Sequence, residues 1–164
     1  MKAKELTLSA ILVALTIIIL YINLLLPIST ISILTVASLL IPISIIRGSI
    51  KSAILVYSAS SIIGFFLLPI NIILLYVLFF GIYGIIKFFI EKLRNIPVEI
   101  FLKIIFFNIV LFLSYFVFNT FIKIQITKLP IGLFFIIAQI VFLVFDYALT
   151  LLISFYLEKI HHKI

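Results

Sequence analysis

The sequence predicts an all-α integral membrane protein with six transmembrane helices and a single transmembrane domain. Of its 164 residues 66% are hydrophobic, the mean hydropathy is +1.54, and the apolar residues form six continuous runs. A soluble domain of this size could not hide so much apolar surface from water. Runs of roughly 20 residues fit helices that cross a bilayer, whereas barrel strands need only about ten residues of alternating polarity. The predicted helices cover approximately residues 6–26, 31–46, 52–68, 72–90, 100–122 and 131–157.

The first span contains no charged residue and follows Lys2 and Lys4. It ends at residues 24–27 (Leu-Leu-Leu-Pro), without the small-residue cleavage pattern of a signal peptide, so we expect it to be retained. Ala10 and Ala14 are four residues apart and therefore share one face of the helix. Because small side chains let helices approach closely in lipid, we expect this face to dock a partner.

Small and polar residues distinguish the third span. The second span, the shortest of the six, leads into it through a basic turn at residues 47–51 (Arg-Gly-Ser-Ile-Lys). Helical spacing places four of the residues of the third span on one face, which predicts tight packing against other helices. These residues are Ala53, Tyr57, Ser60 and Gly64.

The positive charges fall unequally on the two sides of the six predicted spans. If the N-terminus is cytoplasmic, the outer side holds only Lys123 and Lys128. The cytoplasmic side holds Lys2, Lys4, Arg47, Lys51, Lys87, Lys92, Arg94, Lys103, Lys159 and Lys163. This asymmetry predicts that both termini are cytoplasmic in a multi-pass protein of the cell membrane, typical of a bacterial plasma membrane. It also explains the isoelectric point near 9.7 without a nucleic-acid partner, since the basic residues lie along a lipid surface.

Polar residues inside the last two spans form two stripes. Such groups are costly in lipid and mark either packing or function. The stripes have the same spacing and comprise Asn108, Tyr115 and Asn119 on the fifth span and Gln139, Asp146 and Thr150 on the sixth. On consecutive antiparallel helices they predict either hydrogen bonds between the helices or the walls of a shared cavity.

A solute, if one binds, should lie in the outer half of the membrane. Helical rise places several groups there that could form hydrogen bonds in a desolvated cleft. The predicted substrate-binding residues are Asn71, Tyr76, Tyr115, Asn119 and Gln139.

Asp146 is the only acid well inside a predicted span. We expect a structural ion pair with Lys87, Lys103 or Arg47, in preference to a proton or ion site. A second intramembrane acid would favour coupled transport, and the sequence has none.

Signatures of enzymes are missing from the sequence. There is no cysteine, and no serine-hydrolase, zinc-protease or phosphate-loop motif occurs. His161 and His162 are adjacent in a charged tail and do not share a helix face, so they predict no metal site. We therefore expect a protein that is not an enzyme and that carries no cofactor.

The opening of the first span resembles a known family. Residues 6–15 (Leu-Thr-Leu-Ser-Ala-Ile-Leu-Val-Ala-Leu) look like the start of the substrate-binding S components of energy-coupling factor (ECF) vitamin transporters. The resemblance implies six helices with cytoplasmic ends and capture of a vitamin or other small nutrient. It also implies that Ala10 and Ala14 meet a transmembrane coupling subunit, while ATP-binding cassette subunits supply the energy.

A second family is similar in size and number of spans. The MreD rod-shape proteins carry a Pro-Asp step near the second helix and a Gly-rich segment ending in Asp, and neither is matched here. This similarity keeps open the alternative of a membrane scaffold or interaction protein with no transported solute.

Overall fold

The computed structural model describes residues 3–25, 29–121 and 131–159. Over these ranges the chain is helical apart from short turns and contains no β-strand. The helices are α1 (Ala3–Leu25), α2 (Thr30–Arg47), α3 (Ile50–Leu67), α4 (Ile70–Leu75), α5 (Gly81–Glu91), α6 (Ile96–Phe121) and α7 (Ile131–Lys159). A π-helical segment, Tyr76–Phe80, joins α4 and α5 into one span. Among the described residues, six helices are long and apolar enough to cross a membrane, which confirms the predicted fold class. The orientation of the termini stays a prediction.

The helix ends differ from the predicted bounds by a few residues. The largest difference is at α6, which begins at Ile96 and not near residue 100. Pro97 is tolerated there because the first N–H groups of a helix have no acceptor within the helix. Glu99 lies in the first turn, where a negative charge interacts favourably with the helix dipole. The helix therefore begins before the predicted apolar run and includes Glu99.

The helices group into two compact units, residues 1–94 and 95–164. Unit 1 contains α1 to α5, and unit 2 contains α6 and α7. The sequence predicts a single transmembrane domain, and the grouping into two units does not test that prediction.

The core of unit 1 lies among α1, α2, α3 and α5. It consists of Leu12, Val13, Leu40, Ile41, Ala53, Val56 and Ile85. The close contact of α2 with α5 depends on Gly84, because a Cβ atom there would lie 2.8 Å from Cδ of Pro42. The small-residue face predicted on α3 is packed as expected, with Ala53, Ser60 and Gly64 all buried.

The two ends of unit 1 differ in charge. In unit 1 each span runs antiparallel to the next when α4 and α5 are taken as one span, so the starts of α1 and α3 lie at the same end as the C-termini of α2 and α5. This end carries Lys4, Glu5, Arg47, Lys51, Lys87, Glu91, Lys92 and Arg94. At the opposite end, the described turns between α1 and α2 and between α3 and α4 carry no charged residue. We call these the charged end and the uncharged end of unit 1.

Candidate functional site

Helices α1 and α3 border an open apolar groove on the surface of unit 1, with a volume of about 570 Å³. It is lined by Leu6, Ala10, Val13, Ala14, Ile17, Ile18, Leu55, Ala59 and Ile63. All nine are apolar, and we call this surface the α1–α3 groove. Ala10 and Ala14 are exposed in it, so the face predicted to dock a partner is not covered by another described helix of unit 1.

The groove owes its depth to small side chains on both helices. Along α1 it extends over about three turns, or roughly 18 Å, from Leu6 to Ile18. Ala10 and Ala14 lie in the middle of this length, and Ala59 lies on the α3 side. Small side chains at such positions allow close backbone contact, which is a main source of helix association in lipid.

The α3 side of the groove is a single row of residues with i, i+4 spacing. It consists of Leu55, Ala59 and Ile63, and the preceding member of the row is Lys51. Lys51 is exposed and lies in the first turn of α3, at the charged end of unit 1. The apolar groove is therefore followed by a cation at one end.

The π-helical segment forms the centre of a polar cluster inside unit 1. The hydroxyl of Tyr57 donates a hydrogen bond of 2.9 Å to the carbonyl oxygen of Val77, within the π-helical turn. The hydroxyls of Ser60 and Tyr76 are also 2.9 Å apart. Gly81 makes room for this arrangement, because a Cβ atom there would lie 2.8 Å from Cδ2 of Tyr57. The cluster thus fixes the fourth span against α3.

Tyr76 and Asn71, the two predicted solute contacts in unit 1, are placed differently. Tyr76 is fully buried at 0% exposure, and its hydroxyl is paired with Ser60. Asn71 is exposed near the start of α4. A solute could reach Tyr76 only if the packing of the fourth span on α3 opened.

An ion pair joins the two helices of unit 2. Nζ of Lys103 lies 3.0 Å from Oδ2 of Asp146. Lys103 is only 8% exposed, and Asp146 is partly buried. Lys103 is one of the three partners predicted for Asp146, and this pair lies at ion-pair distance.

Two further contacts extend this α6–α7 interface. The rings of Phe107 and Phe142 are stacked, with centroids 4.3 Å apart and planes 8° from parallel. Nε2 of Gln139 donates a hydrogen bond of 2.9 Å to Oδ1 of Asn108, whose own amide donates to the carbonyl of Ile104. The predicted meeting of the two polar stripes is confirmed for this amide pair.

Tyr115 and Thr150 of the stripes are placed at exposed positions. Tyr115 is 52% exposed. Thr150 is also exposed, and its hydroxyl donates to the carbonyl of Asp146 on its own helix. The side chain of Asn119 lies outside the described residues, as do His161 and His162. The predicted solute pocket, which draws on both units, stays a prediction.

Two features of these sites were not predicted from the sequence. The row of Leu55, Ala59 and Ile63 that completes the groove could have been found from its i, i+4 spacing. The π-helical segment had no comparable signal, because Tyr76–Phe80 reads as an ordinary apolar stretch of helix.

No family model matches the chain, and no curated protein or solved structure is similar to it. Among the described residues, no group of three or more His, Cys, Asp or Glu side chains could hold a metal ion. Function is therefore inferred from the residues and their geometry.

Proposed function

We propose that the chain is the membrane-embedded substrate-capture subunit of an ECF-type ATP-driven importer for a vitamin or other small nutrient. The observation that carries the proposal is the exposure of Ala10 and Ala14 in the α1–α3 groove. These are the residues that, by the resemblance of the first helix to S components, meet the transmembrane coupling subunit. Both termini lie in the cytoplasm of a cell whose plasma membrane holds the protein.

The shape of the groove supports docking of a helix. A transmembrane helix has a diameter of about 10 Å, and its backbone can approach another helix closely only over small side chains. Ala10 lies seven residues after the start of α1, or roughly 10 Å along the axis from the charged end. The docking face is therefore in the half of the membrane nearer the charged end, which the positive-inside asymmetry assigns to the cytoplasm.

Energy for import comes from partner subunits in this proposal, since the sequence carries no phosphate-binding motif. The solute binds in the outer half, through Asn71, Tyr115 and Asn119 together with Tyr76 and Gln139. For the last two residues, contact with a solute would replace the hydrogen bonds with Ser60 and Asn108.

Expression with a coupling subunit and the ATP-binding cassette subunits tests the proposal. We expect the chain, the coupling subunit and the ATP-binding cassette subunits to copurify. The complex should take up the nutrient in proteoliposomes when ATP is supplied on the cytoplasmic side. The double variant Asn119→Leu, Gln139→Leu should assemble normally but lose uptake, because the pocket loses two hydrogen-bonding groups. Asn108→Leu is the control, since it removes the amide partner of Gln139 but is not a proposed solute contact. Unchanged uptake in the double variant would contradict the proposal that Asn119 and Gln139 contact the solute.

The second candidate function is an MreD-like membrane scaffold without a solute. It is favoured by the pairing of polar groups within each unit, namely Ser60 with Tyr76 and Asn108 with Gln139. Such pairs stabilise contacts between helices without any ligand. Copurification with other membrane proteins, but never with a coupling subunit and ATP-binding cassette subunits, would support the scaffold.

A further inference from the structure

We propose that the α1–α3 groove binds one anionic phospholipid, with an acyl chain along the groove and the headgroup at Lys51. The inference concerns the same groove as the proposed function, but it depends neither on a coupling subunit nor on a solute. It identifies what occupies the docking face when no protein partner is present.

The chemistry of the groove suits an acyl chain. All nine residues that line it are Leu, Ile, Val or Ala, so the groove offers no hydrogen-bonding side chain to an occupant. It runs between two helices that are long and apolar enough to span a membrane. Lipid tails are the surrounding medium at this depth. A chain that lies in the groove contacts apolar atoms on two helices, whereas a chain on a convex helix surface contacts one.

Charge decides which end of the groove receives the headgroup. Lys51 continues the α3 row of Leu55 and Ala59 and lies roughly 6 Å further along the axis than Leu55. A lysine in the first turn of a membrane helix can extend its ammonium group to the interface. Lys51 therefore reaches the level of phosphate groups while its stem remains beside the groove.

Neighbouring residues make this end cationic overall. Exposed Lys4 lies in the first turn of α1 and exposed Arg47 at the end of α2, while Glu5 is the acid nearby in α1. Three cations against one carboxylate favour a headgroup with net negative charge over a zwitterionic one. The uncharged end of unit 1 offers no such attraction, so the lipid belongs to the leaflet at the charged end. A docking helix would have to displace this lipid.

Lipid titration of the purified full-length chain in detergent tests the headgroup site. Dioleoylphosphatidylglycerol and dioleoylphosphatidylcholine are the probes, and native mass spectrometry counts the lipids that remain bound. We expect one phosphatidylglycerol to bind more tightly than phosphatidylcholine. Lys51→Gln should weaken phosphatidylglycerol binding about fivefold, because one basic residue contributes on the order of 1 kcal/mol near an anionic surface. Lys92→Gln removes an exposed cation from the same end but from neither groove helix, and it should have no effect. Equal losses in the two variants would overturn the assignment to Lys51.

Filling the groove tests the acyl-chain site. Ala59→Leu should reduce the binding of both lipids, because its larger side chain would occupy the groove. Ser58→Leu is the matched control, since Ser58 is an exposed small residue of α3 that does not line the groove. If Ala59→Leu does not fold, Ala14→Leu applies the same test from α1. Unchanged lipid binding in the folded groove variant would overturn the proposal. A groove that binds a coupling subunit but no lipid would overturn it as well, and would leave the proposed function intact.

Discussion

Several polar side chains form different kinds of contact in the two units. In unit 1, the buried hydroxyls of Ser9, Thr16 and Ser60 donate to carbonyl oxygens four residues earlier in their own helices. In unit 2, charged and amide side chains meet across the α6–α7 interface. Lys103 pairs with Asp146, and Gln139 pairs with Asn108.

Two buried lysines among the described residues show the same difference. Lys87 of unit 1 is 1% exposed and pairs with Glu91 of its own helix, at a distance of 2.7 Å. Lys103 of unit 2 reaches a different helix. Contacts within one helix do not determine how neighbouring helices align, so in unit 1 that role belongs to the close packing of small residues and to the hydroxyl cluster of Tyr57, Ser60 and Tyr76. In unit 2 the cross-helix pairs fix the register of α6 against α7.

The largest expected effect is the loss of the cross-helix ion pair. Lys103→Leu removes the ammonium group that lies 3.0 Å from the partly buried carboxylate of Asp146, which should destabilise the protein by about 3 kcal/mol. The double variant Lys103→Leu, Asp146→Leu should recover most of this loss, because it leaves no buried charge behind. Reversible unfolding in mixed micelles measures both free energies.

Lys87→Leu is the comparison in unit 1. The carboxylate of Glu91 is 37% exposed and can be hydrated when the lysine is removed, so the free energy of unfolding should fall by less. An equal loss in Lys87→Leu and Lys103→Leu would contradict the distinction between the two units.

A smaller effect is expected from adding a methyl group to the packed surface of unit 1. In Gly84→Ala the new Cβ would lie 2.8 Å from Cδ of Pro42, a rigid ring, so α2 and α5 must move apart. Overpacking of this kind costs on the order of 1–3 kcal/mol, which the higher helix propensity of alanine offsets in part.

Gly132→Ala is the control from unit 2. Nothing lies within 4 Å of a Cβ atom at Gly132, so this variant should be neutral or more stable by up to about 1 kcal/mol. Thermal unfolding in detergent compares the two variants. Similar melting temperatures would show that close α2–α5 contact is not a main source of stability in unit 1.

Much of the fold could be predicted from the sequence, because lipid forces backbone groups to pair within helices and apolar runs must then match the bilayer. The six spans follow from this, and so does a buried partner for Asp146. The contact of Asp146 with Lys103 could not be predicted, since it depends on the register of α6 against α7.

Less of the candidate site could be predicted. The small-residue step at Ala10 and Ala14 is visible in the sequence, but three of the nine lining residues belong to α3, and the pairing of α1 with α3 is not encoded in local spacing. The solute contact of Tyr76 stays a prediction, and the hydrogen bond of its hydroxyl with Ser60 was not predicted. The extra residue in a π-helical turn changes which side chains face a neighbouring helix. No local sequence pattern in Tyr76–Phe80 predicts such a turn.

The central claim is that the α1–α3 groove docks a partner subunit, and the double variant Ala10→Leu, Ala14→Leu tests it most directly. Added side chains in the groove should force a docked helix away, while the variant itself stays folded because both positions are exposed. The measurement is copurification with the coupling and ATP-binding cassette subunits, alongside the melting temperature of the isolated variant in detergent. We predict loss of the complex with an unchanged melting temperature. A complex that still forms normally, or a collapse of the melting temperature, would contradict the account.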